Sequence, residues 1–434
     1  MDYSGKRAAY ATLGCKLNFS ETSSVASSME KSGFITVGFD EVADVYVINS
    51  CSVTSAGEKS SRYMIRKAIR KNPVGFVVVT GCYAQLKPEE VSKIPGVDMV
   101  LGSREKFSLP SLLGDLSKQE KPWVLTTSLA GLKDFRNSFS AGGRTRSFLK
   151  IQDGCDYFCT YCVVPFARGR SRSGPVADIA ETARHIVAKG FREIVLTGVN
   201  IGDFGKSTGE SFAGLLKELE NVDGLERLRM GSVEPNLLTD EIIELTAHSN
   251  VIMPHFHLPL QSGSDKILGL MKRRYNTGLF ASRISRIREL LPGAFIGVDV
   301  IAGTNGESEE LFLESYHFIE SLPVSQLHAF PYSERIGTKA LEIPLKVPAG
   351  LRKERTLKYI SLSERKLRAF YESNRGNTEP VLFEEPLKGN RISGFTRNYI
   401  RTVVPGGAEV TGRIASVKLL SVLQDGTMLG ELLK

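Results

Sequence analysis

The chain has 434 residues, enough for two or three domains, and its 41% hydrophobic and 24% charged content is ordinary for a globular protein. The formal charge of +8 excludes a strongly acidic protein and moderately favours polyanionic partners such as nucleic acid. Apolar runs such as residues 75–79 are too short to cross a membrane, and the first residues carry no signal-peptide pattern.

Residues 8–130 alternate apolar stretches with helix patterns, which predicts a parallel sheet with helices on both faces. Strands are predicted at residues 8–13, 45–49, 76–80 and 97–101, and helices at residues 20–32 and 56–71. Cys15, Cys51 and Cys82 each follow one of these strands, at a Gly or Ser rather than within an apolar run. Because ligands gather at the carboxyl edge of such sheets, we expect these thiols to converge as a three-thiolate metal site. Three unrelated buried cysteines are the alternative.

The predicted helix at residues 56–71 carries positive charge along one face. Lys59, Arg62, Arg66 and Arg70 recur every three or four residues, and residues 59–71 contain no Asp or Glu. A solvated helix face normally mixes both signs, whereas a polyanionic partner would compensate such a stripe. We therefore predict contact with nucleic acid, with a merely solvated face as the alternative.

Glycine-rich, polar residues 131–146 predict a linker between an N-terminal domain, residues 1–130, and a second β/α series, residues 147–374. Strands are predicted at residues 147–152, 193–196, 227–232, 255–258, 294–301 and 326–331. About six such β/α units fit a partial barrel, with its site at the carboxyl ends of the strands.

Cys155, Cys159 and Cys162 follow the first strand of this series in a C-x3-C-x2-C pattern, with Tyr161 before the last cysteine. Three thiolates this close together can each bind one iron of a [4Fe–4S] cube and leave the fourth iron open to a small molecule. A zinc site would need a fourth Cys or His at suitable spacing, and three neighbouring cysteines cannot all pair locally. Because the six cysteines indicate metal or catalysis rather than disulfides, we expect a cytoplasmic protein.

Polar residues near the carboxyl ends of the predicted barrel strands are candidates for ligand contact, with turn formation or structural hydrogen bonding as the alternative. They are Gly198, Asn200, Glu234, Gln261 and Asp299. Positive charge is added near the same edge by residues 144–146, 168–172 and 272–274, each of which has a solvated surface as its alternative. We expect His255 and His257 to pack or form hydrogen bonds rather than to bind metal.

Residues 375–434 change to short β-like runs separated by Gly, Asn and Asp, which predicts a small β-barrel. The runs are residues 379–384, 400–404, 408–421 and 428–432. Arg397 and Tyr399 belong to a stretch in which basic and aromatic residues interleave, a composition that suits binding of single-stranded or loop RNA. Aromatic residues of a small barrel core are the alternative.

The pattern formed by Cys155, Cys159, Tyr161 and Cys162 resembles the signature of the radical S-adenosylmethionine (SAM) superfamily. Over essentially its whole length the chain resembles the methylthiotransferases, which are radical SAM enzymes with two [4Fe–4S] clusters. The motifs that carry this resemblance are residues 14–22, 49–53, 81–85, 196–200, 232–235, 257–264 and 332–338. The predicted terminal barrel is similar to a TRAM domain, an RNA-binding module.

The resemblance implies that Cys155, Cys159 and Cys162 hold the SAM cluster. It implies SAM contacts from Tyr161, Gly198, Asn200, Glu234, Gln261 and Asp299. Members of this family attach a methylthio group to an unactivated carbon. One SAM methylates a sulfur, and a second SAM yields a 5′-deoxyadenosyl radical that abstracts hydrogen from the substrate.

The resemblance also implies that Cys15, Cys51 and Cys82 hold an auxiliary [4Fe–4S] cluster, whose open iron binds the sulfide or polysulfide that is transferred. A flavodoxin- or ferredoxin-like protein is the expected electron donor, and we expect a monomer. One feature departs from the family pattern: residues 303–307 read Gly-Thr-Asn-Gly-Glu where members usually have Gly-Phe-Pro-Gly-Glu. We expect the turn to be kept, with changed residues on the adenine side.

Three substrates are known for this family. Two are adenosines next to the tRNA anticodon, carrying an isopentenyl or a threonylcarbamoyl group, and the third is an aspartate of a ribosomal protein. Residues 14–18, 51–54 and 59–62 resemble the version that acts on threonylcarbamoyladenosine, and the basic helix and terminal barrel favour the tRNA anticodon stem-loop over a protein. A non-catalytic iron–sulfur protein that binds RNA is the alternative from a different class.

Overall fold

The computed structural model describes residues 3–141, 145–406 and 408–433, which form three structural units along the chain. Residues 142–144 of the predicted linker, including the basic Arg144, lie outside the described residues. None of the helices that the structure describes combines the length and the apolar character that crossing a membrane requires.

The first unit is a parallel sheet with strand order β2-β1-β3-β4-β5-β6, covered by helices. Its strands are β1 (Arg7–Thr12), β2 (Ile35–Val37), β3 (Val45–Ser50), β4 (Phe76–Gly81), β5 (Met99–Leu101) and β6 (Trp123–Leu125). Its helices are α1 (Lys16–Lys31), α2 (Ser55–Lys71), α3 (Cys82–Leu86), α4 (Pro88–Ser92) and α5 (Leu109–Leu112). Strands β3 and β4 are buried throughout, as their continuous apolar sequences predict.

Two details of this unit differ from the prediction. Helix α1 begins at Lys16 rather than at residue 20, because Cys15 has extended backbone and takes the N-cap position directly after β1. The edge strands β2 and β6 are additional to the predicted strands. Each has only three residues, and their exposed apolar side chains give no alternating pattern to recognise.

The central unit is a partial barrel of six parallel strands, in the order β8, β11, β12, β13, β14, β15. The unit contains strands β7 (Ser138–Phe139), β8 (Arg146–Lys150), β9 (Gln152–Asp153), β10 (Arg172–Ser173), β11 (Glu193–Thr197), β12 (Arg227–Arg229), β13 (His255–Gln261), β14 (Phe295–Ala302) and β15 (Gln326–Pro331). Its helices are α6 (Val164–Arg168), α7 (Val176–Ala188), α8 (Phe212–Glu220), α9 (Asp240–His248), α10 (Asp265–Leu270), α11 (Thr277–Leu290), α12 (Glu309–Ser321) and α13 (Ala349–Glu372). The predicted partial (β/α)6 barrel is therefore confirmed.

The terminal unit is a closed five-stranded barrel, as predicted, with strand order β16-β17-β18-β20-β19. Its strands are β16 (Thr378–Leu387), β17 (Arg391–Thr396), β18 (Arg401–Pro405), β19 (Ile414–Val422) and β20 (Met428–Leu432). Strand β17 is additional to the predicted runs, and the run at residues 408–421 divides into a short 3-10 turn (Ala408–Val410) and β19.

Buried arginines of the central barrel attach the terminal barrel to it. The guanidinium of Arg227 donates to the carbonyl of Phe395 (2.8 Å), and that of Arg229 donates to the carbonyl of Arg397 (3.2 Å). Glu193, which is fully buried, accepts from Arg229 at 3.0 Å. Charge-assisted hydrogen bonds to backbone carbonyls thus fix the position of the terminal barrel on strand β12.

Candidate functional site

The Cys155–Cys162 loop lies between strands β9 and β10, which pair antiparallel and close its base. The backbone N–H of Cys155 donates to the carbonyl of Gly169 (3.1 Å). Gly154 has φ +72°, and a Cβ there would overlap the carbonyl of Arg170, so only glycine fits at this position. The loop backbone therefore requires glycine immediately before Cys155.

Each thiol of this loop receives a hydrogen bond. The N–H of Tyr157 donates to Sγ of Cys155 (3.4 Å), and the N–H of Val164 donates to Sγ of Cys162 (3.4 Å). Sγ of Cys159 accepts from the guanidinium of Arg273 (3.1 Å).

Burial raises the pKa of Cys155 and of Cys162 to about 12, although the hydrogen bonds to their sulfurs oppose the shift. The thiols alone would thus stay protonated at neutral pH. Bound metal cations would supply the positive charge that stabilises three thiolates in this buried loop.

Cys15, Cys51 and Cys82 follow β1, β3 and β4, which are neighbouring strands of the N-terminal sheet. Because these strands are parallel neighbours, all three cysteines stand at the same edge of the sheet. Burial, with smaller contributions from Cys82 and Cys15, raises the pKa of Cys51 to about 11. The predicted sheet edge is confirmed, whereas the metal site itself stays a prediction.

In neither group of three cysteines do all the sulfurs lie within 4.8 Å of one another. Among the residues that the structure describes, only His257, Asp299 and His328 offer three ligand atoms within 4.8 Å of one another. Thiolates that bind different irons of a cube stand further apart than the ligands of a single zinc ion. The wider spacing of both cysteine groups therefore fits an iron–sulfur cluster better than a mononuclear site.

A cavity of about 250 Å³ is lined by residues that neighbour Cys51 and Cys162 in the sequence. Its lining comes from the barrel and from the segment that follows Cys51: Val53, Thr54, Tyr161, Gln261, Asp299, Ile301, Phe330, Pro331, Tyr332 and Ser333. The N–H of Ser55 donates to Oγ of Ser333 (3.1 Å), which joins the two units at the rim of the cavity. Three of the predicted ligand contacts, Tyr161, Gln261 and Asp299, thus share one cavity.

Asp299 is held by two histidines on the strands to either side of it. Its Oδ1 lies 2.7 Å from Nε2 of His257 and 3.4 Å from Nδ1 of His328. These histidines hold the pKa of Asp299 well below its usual range, although burial opposes this effect. His255 packs against Phe295 and Tyr399, and His257 forms its hydrogen bond with Asp299.

The other three predicted cofactor residues differ in what surrounds them. The side-chain amide of Asn200 is buried, and none of the described residues forms a hydrogen bond with it. A buried amide without a protein partner leaves both of its polar atoms available to a ligand or a water molecule. Gly198 packs tightly against the Gln152 carbonyl, a structural role. Glu234 forms a buried ion pair with Arg273.

Residues 303–307, where Thr-Asn replaces the Phe-Pro of the family pattern, keep their turn. Gly303 and Gly306 have φ +74° and +89°, and Oε1 of Glu307 accepts from the N–H of Gly303 (2.9 Å). Burial raises the pKa of Glu307 to about 7, while its pairing with Arg355 opposes this. Asn305 donates to the carbonyl of Ala340 (2.8 Å) and so contributes to the loop itself.

The basic face of α2 is only partly available to a ligand. Lys59, Arg66 and Arg70 are exposed. Arg62, however, is paired with Glu90 of α4 at 3.2 Å, a neutralising contact that the local sequence did not indicate.

Tyr399 faces the central barrel rather than open solvent. Its ring stacks on Phe395 at 4.7 Å between centroids and lies under the guanidinium of Arg229. Arg397 is half-buried and lines a second cavity at the junction of the two barrels. RNA contact by Tyr399 and Arg397 stays a prediction.

Two arginines predicted to add charge near the active edge belong instead to a buried ion network between the N-terminal sheet and the barrel. Arg168 pairs with Glu21 of α1 (3.0 Å) and with Asp153 (3.0 Å), and Arg172 pairs with Asp153 (3.1 Å). Lys106 and Lys150 complete the network around Glu21. The expectation that Arg168 and Arg172 face a solvated surface or a ligand is therefore wrong, because buried carboxylates neutralise them.

Two family profiles match the chain: "Uncharacterized protein family UPF0004" at residues 7–102 and "Radical SAM superfamily" at residues 149–319. A solved structure titled as the radical S-adenosylmethionine methyltransferase TsrM from Kitasatospora setae resembles the chain with a TM-score of 0.56 at 14% identity. The match covers 76% of this chain and 75% of the TsrM chain, and it supports the fold alone.

Two relatives named "Threonylcarbamoyladenosine tRNA methylthiotransferase MtaB" are each 39% identical. The protein from Bacillus subtilis (strain 168) aligns over 95% of this chain and 93% of its own length, and that from Aquifex aeolicus (strain VF5) over 95% and 99%. A protein of Syntrophus aciditrophicus (strain SB) named "tRNA-2-methylthio-N(6)-dimethylallyladenosine synthase" is 32% identical over 94% of this chain and 87% of its own length. With this similarity along nearly its whole length, the chain belongs to the radical SAM methylthiotransferase family.

Proposed function

We propose that the protein transfers a methylthio group to N6-threonylcarbamoyladenosine immediately 3′ of the anticodon in tRNA. The observation that carries the proposal is the cavity bounded by Tyr161 of one cysteine loop and by Val53 and Thr54, which follow Cys51 of the other site. A substrate carbon held in this cavity would be accessible both to the radical from the first cysteine site and to the sulfur from the second. The names of the two relatives at 39% identity support threonylcarbamoyladenosine as the substrate.

Cys155, Cys159 and Cys162 hold the cluster that binds SAM, and Cys15, Cys51 and Cys82 hold the auxiliary cluster. When bound, SAM with an electron from the first cluster would supply a 5′-deoxyadenosyl radical, and the auxiliary cluster would supply a sulfide or polysulfide. The two sets of three free cysteines fit such groups, and the unpaired amide of Asn200 is available to a bound ligand.

The cysteine loop is anchored so that Tyr161 keeps its place at the cavity. The N–H of Thr160 donates to the carbonyl of Met271 (3.1 Å), and its hydroxyl donates to the carbonyl of Leu270 (2.9 Å). The N–H of Ala340 donates in turn to the carbonyl of Thr160 (2.9 Å). Contacts on both sides of Thr160 thus fix the loop against movement when a ligand binds.

The cavity wall combines apolar surface with one ionised carboxylate. Ile301, Phe330 and Val53 give the cavity its apolar surface, although the side chains of Val53 and Phe330 are about half exposed to solvent. Asp299 stays ionised because His257 and His328 donate to it, so it accepts hydrogen bonds from ribose or amino groups.

Positive charge outside the cavity suits an RNA substrate. The exposed Lys59, Arg66 and Arg70 on α2 neutralise phosphates of the anticodon stem-loop, and Arg62 contributes if it exchanges Glu90 for phosphate. The terminal barrel, with Arg397 and Tyr399, acts as an RNA-binding TRAM domain. The enzyme works in the cytoplasm as a monomer, with a flavodoxin- or ferredoxin-like electron donor.

Mass spectrometry of tRNA nucleosides from a deletion strain tests the proposal. We expect 2-methylthio-N6-threonylcarbamoyladenosine to disappear and to return with the wild-type gene but not with a Cys51→Ala variant. Persistence of this nucleoside together with loss of a methylthio-isopentenyladenosine would favour the isopentenyl substrate instead. If both tRNA nucleosides persist while a methylthio-aspartate is lost from a ribosomal protein, the substrate is the protein.

A further inference from the structure

Arg273 lies in the segment between α10 and α11 and reaches into the loop that carries Cys155, Cys159 and Cys162. Its side chain is 3% exposed. One Nη of the guanidinium donates to Sγ of Cys159 (3.1 Å), and the other forms the ion pair with Glu234. It is a buried cation in direct contact with a cysteine of this loop.

The surroundings of Arg273 allow the guanidinium one orientation. Its Nε donates to the hydroxyl of Tyr275 (2.9 Å), and that hydroxyl donates to the carbonyl of Leu260 (2.8 Å). The backbone N–H of Arg273 donates to the carbonyl of Leu268 (2.9 Å). Because Nε and both Nη atoms are engaged, the side chain cannot turn away from Cys159 without leaving a buried donor unpaired.

We propose that Arg273 is a positioning residue that raises the reduction potential of the SAM cluster by donating to the Cys159 sulfur. The inference rests on the proposed function in one respect, that Cys159 binds this cluster. Hydrogen bonds to ligand sulfurs and nearby positive charge both stabilise the reduced, more negative state. Glu234 opposes this effect in part, since it carries a negative charge on the far side of the same guanidinium.

The neighbouring Arg274 provides a matched control. Its guanidinium stacks on the ring of Tyr157, 4.2 Å from the centroid, and donates to the carbonyl of Asp156 (2.8 Å). It therefore carries the same charge and contacts the same loop, but through an aromatic ring and a backbone carbonyl rather than through a cysteine sulfur.

The test is a redox titration of the full-length protein, reconstituted with iron and sulfide without oxygen and followed by electron paramagnetic resonance. Cys15, Cys51 and Cys82 are replaced by alanine in every sample so that one cluster titrates. For Arg273→Gln we expect at least a tenfold shift of the equilibrium toward the oxidised cluster, equivalent to about 59 mV for one electron. Arg274→Gln should shift the potential far less, because the charge of Arg274 is exposed to solvent and does not contact a cysteine sulfur.

Glu234→Gln gives a second measurement, because removal of the opposing carboxylate should shift the potential in the opposite direction. An unchanged potential in both Arg273→Gln and Glu234→Gln, with full iron content, would overturn the proposal. Weaker SAM binding without a shift would also overturn it and assign the guanidinium to SAM. If Arg273→Gln loses iron and Glu234→Gln has an unchanged potential, Arg273 has only a structural role.

This experiment contains no tRNA, so its result is independent of which nucleoside the enzyme modifies. A separate Cys159→Ala variant tests the assumption that the inference shares with the proposed function. If that variant keeps the cluster, the ligand assignment is wrong. If it loses the cluster while the nucleoside profile identifies another substrate, the inference about Arg273 remains testable.

Discussion

Replacing Glu21 by glutamine should destabilise the N-terminal unit more than removing the charge of an exposed side chain does. Glu21 is 1% exposed, and its carboxylate contacts Lys106, Lys150 (2.9 Å) and Arg168 (3.0 Å). Lys106 belongs to the N-terminal unit, whereas Lys150 and Arg168 belong to the barrel. The substitution keeps the shape of the side chain and removes its charge, so three buried cations lose a shared counter-ion.

The expected cost follows from the burial of this network. Removing one partner of a buried ion pair typically costs about 3–5 kcal/mol, because the remaining charge stays buried without compensation. Asp153 still neutralises part of the positive charge, since it lies 2.7 Å from Lys150 and 3.0 Å from Arg168. We therefore expect Glu21→Gln to lower the free energy of unfolding by about 3 kcal/mol, the lower end of that range.

Urea unfolding of the purified protein, followed by tryptophan fluorescence, measures this change. Trp123 is the single tryptophan of the chain and lies on edge strand β6, so its signal reports the N-terminal sheet. Glu41→Gln is the control, because Glu41 pairs with Arg7 at 2.6 Å with both side chains exposed, where the loss should be under about 1 kcal/mol. Equal losses in the two variants would refute the reasoning that burial makes the Glu21 network costly to break.

Three further predictions follow from the same structure. Arg168, Lys106 and Lys150 hold the pKa of Glu21 well below its ordinary value. The stabilisation that this gives is present above the unfolded pKa of about 4.3 and is lost as the pH falls. Urea midpoints measured from pH 7 to pH 3 should therefore fall less steeply in Glu21→Gln than in the wild type. Gly154→Ala should prevent loading of the SAM cluster, measured as iron per chain, whereas Gly190→Ala, which has φ +90° but open space around it, should load normally. Cys82→Ala should reduce iron from about eight to about four per chain, and an unchanged value would contradict the auxiliary site.

The architecture could be predicted because its signals are local. Buried parallel strands such as β3 and β4 are continuous apolar runs, and the helices between them show helical spacing. The short edge strands β2 and β6 escaped prediction because their side chains are exposed, so burial imposes no pattern on their sequence. Their position in the sheet depends on backbone pairing with β1 and β5.

The cysteine sites could be predicted for two different reasons. Cys155, Cys159 and Cys162 are close in sequence, while Cys15 and Cys51 come together because parallel strands end at the same edge. Neither sequence proximity nor a shared strand edge predicts which residues form ion pairs.

The partner of Arg168, Glu21, lies 147 positions away, and no local feature of either residue indicates the pairing. The same limit applies to the pairing of Arg62 with Glu90 and to the packing of Tyr399 on the central barrel. Such contacts depend on how whole units pack, which the sequence pattern of a single element does not specify.

The junction between the N-terminal unit and the barrel contains several polar contacts around the cavity. Besides the Glu21 network, Arg335 of the barrel pairs with buried Glu58 of α2 and donates to Oγ of Ser52 (2.9 Å), the residue after Cys51. An apolar junction would tolerate sliding, whereas displaced charges would be left buried and unpaired, at a cost of several kcal/mol. We infer that these contacts fix one docking geometry and therefore one separation between the cysteine sites. In the proposed reaction, one cysteine site activates the substrate carbon and the other delivers the sulfur. Such a reaction needs a fixed separation between the sites, because small displacements of reacting groups lower the rate sharply.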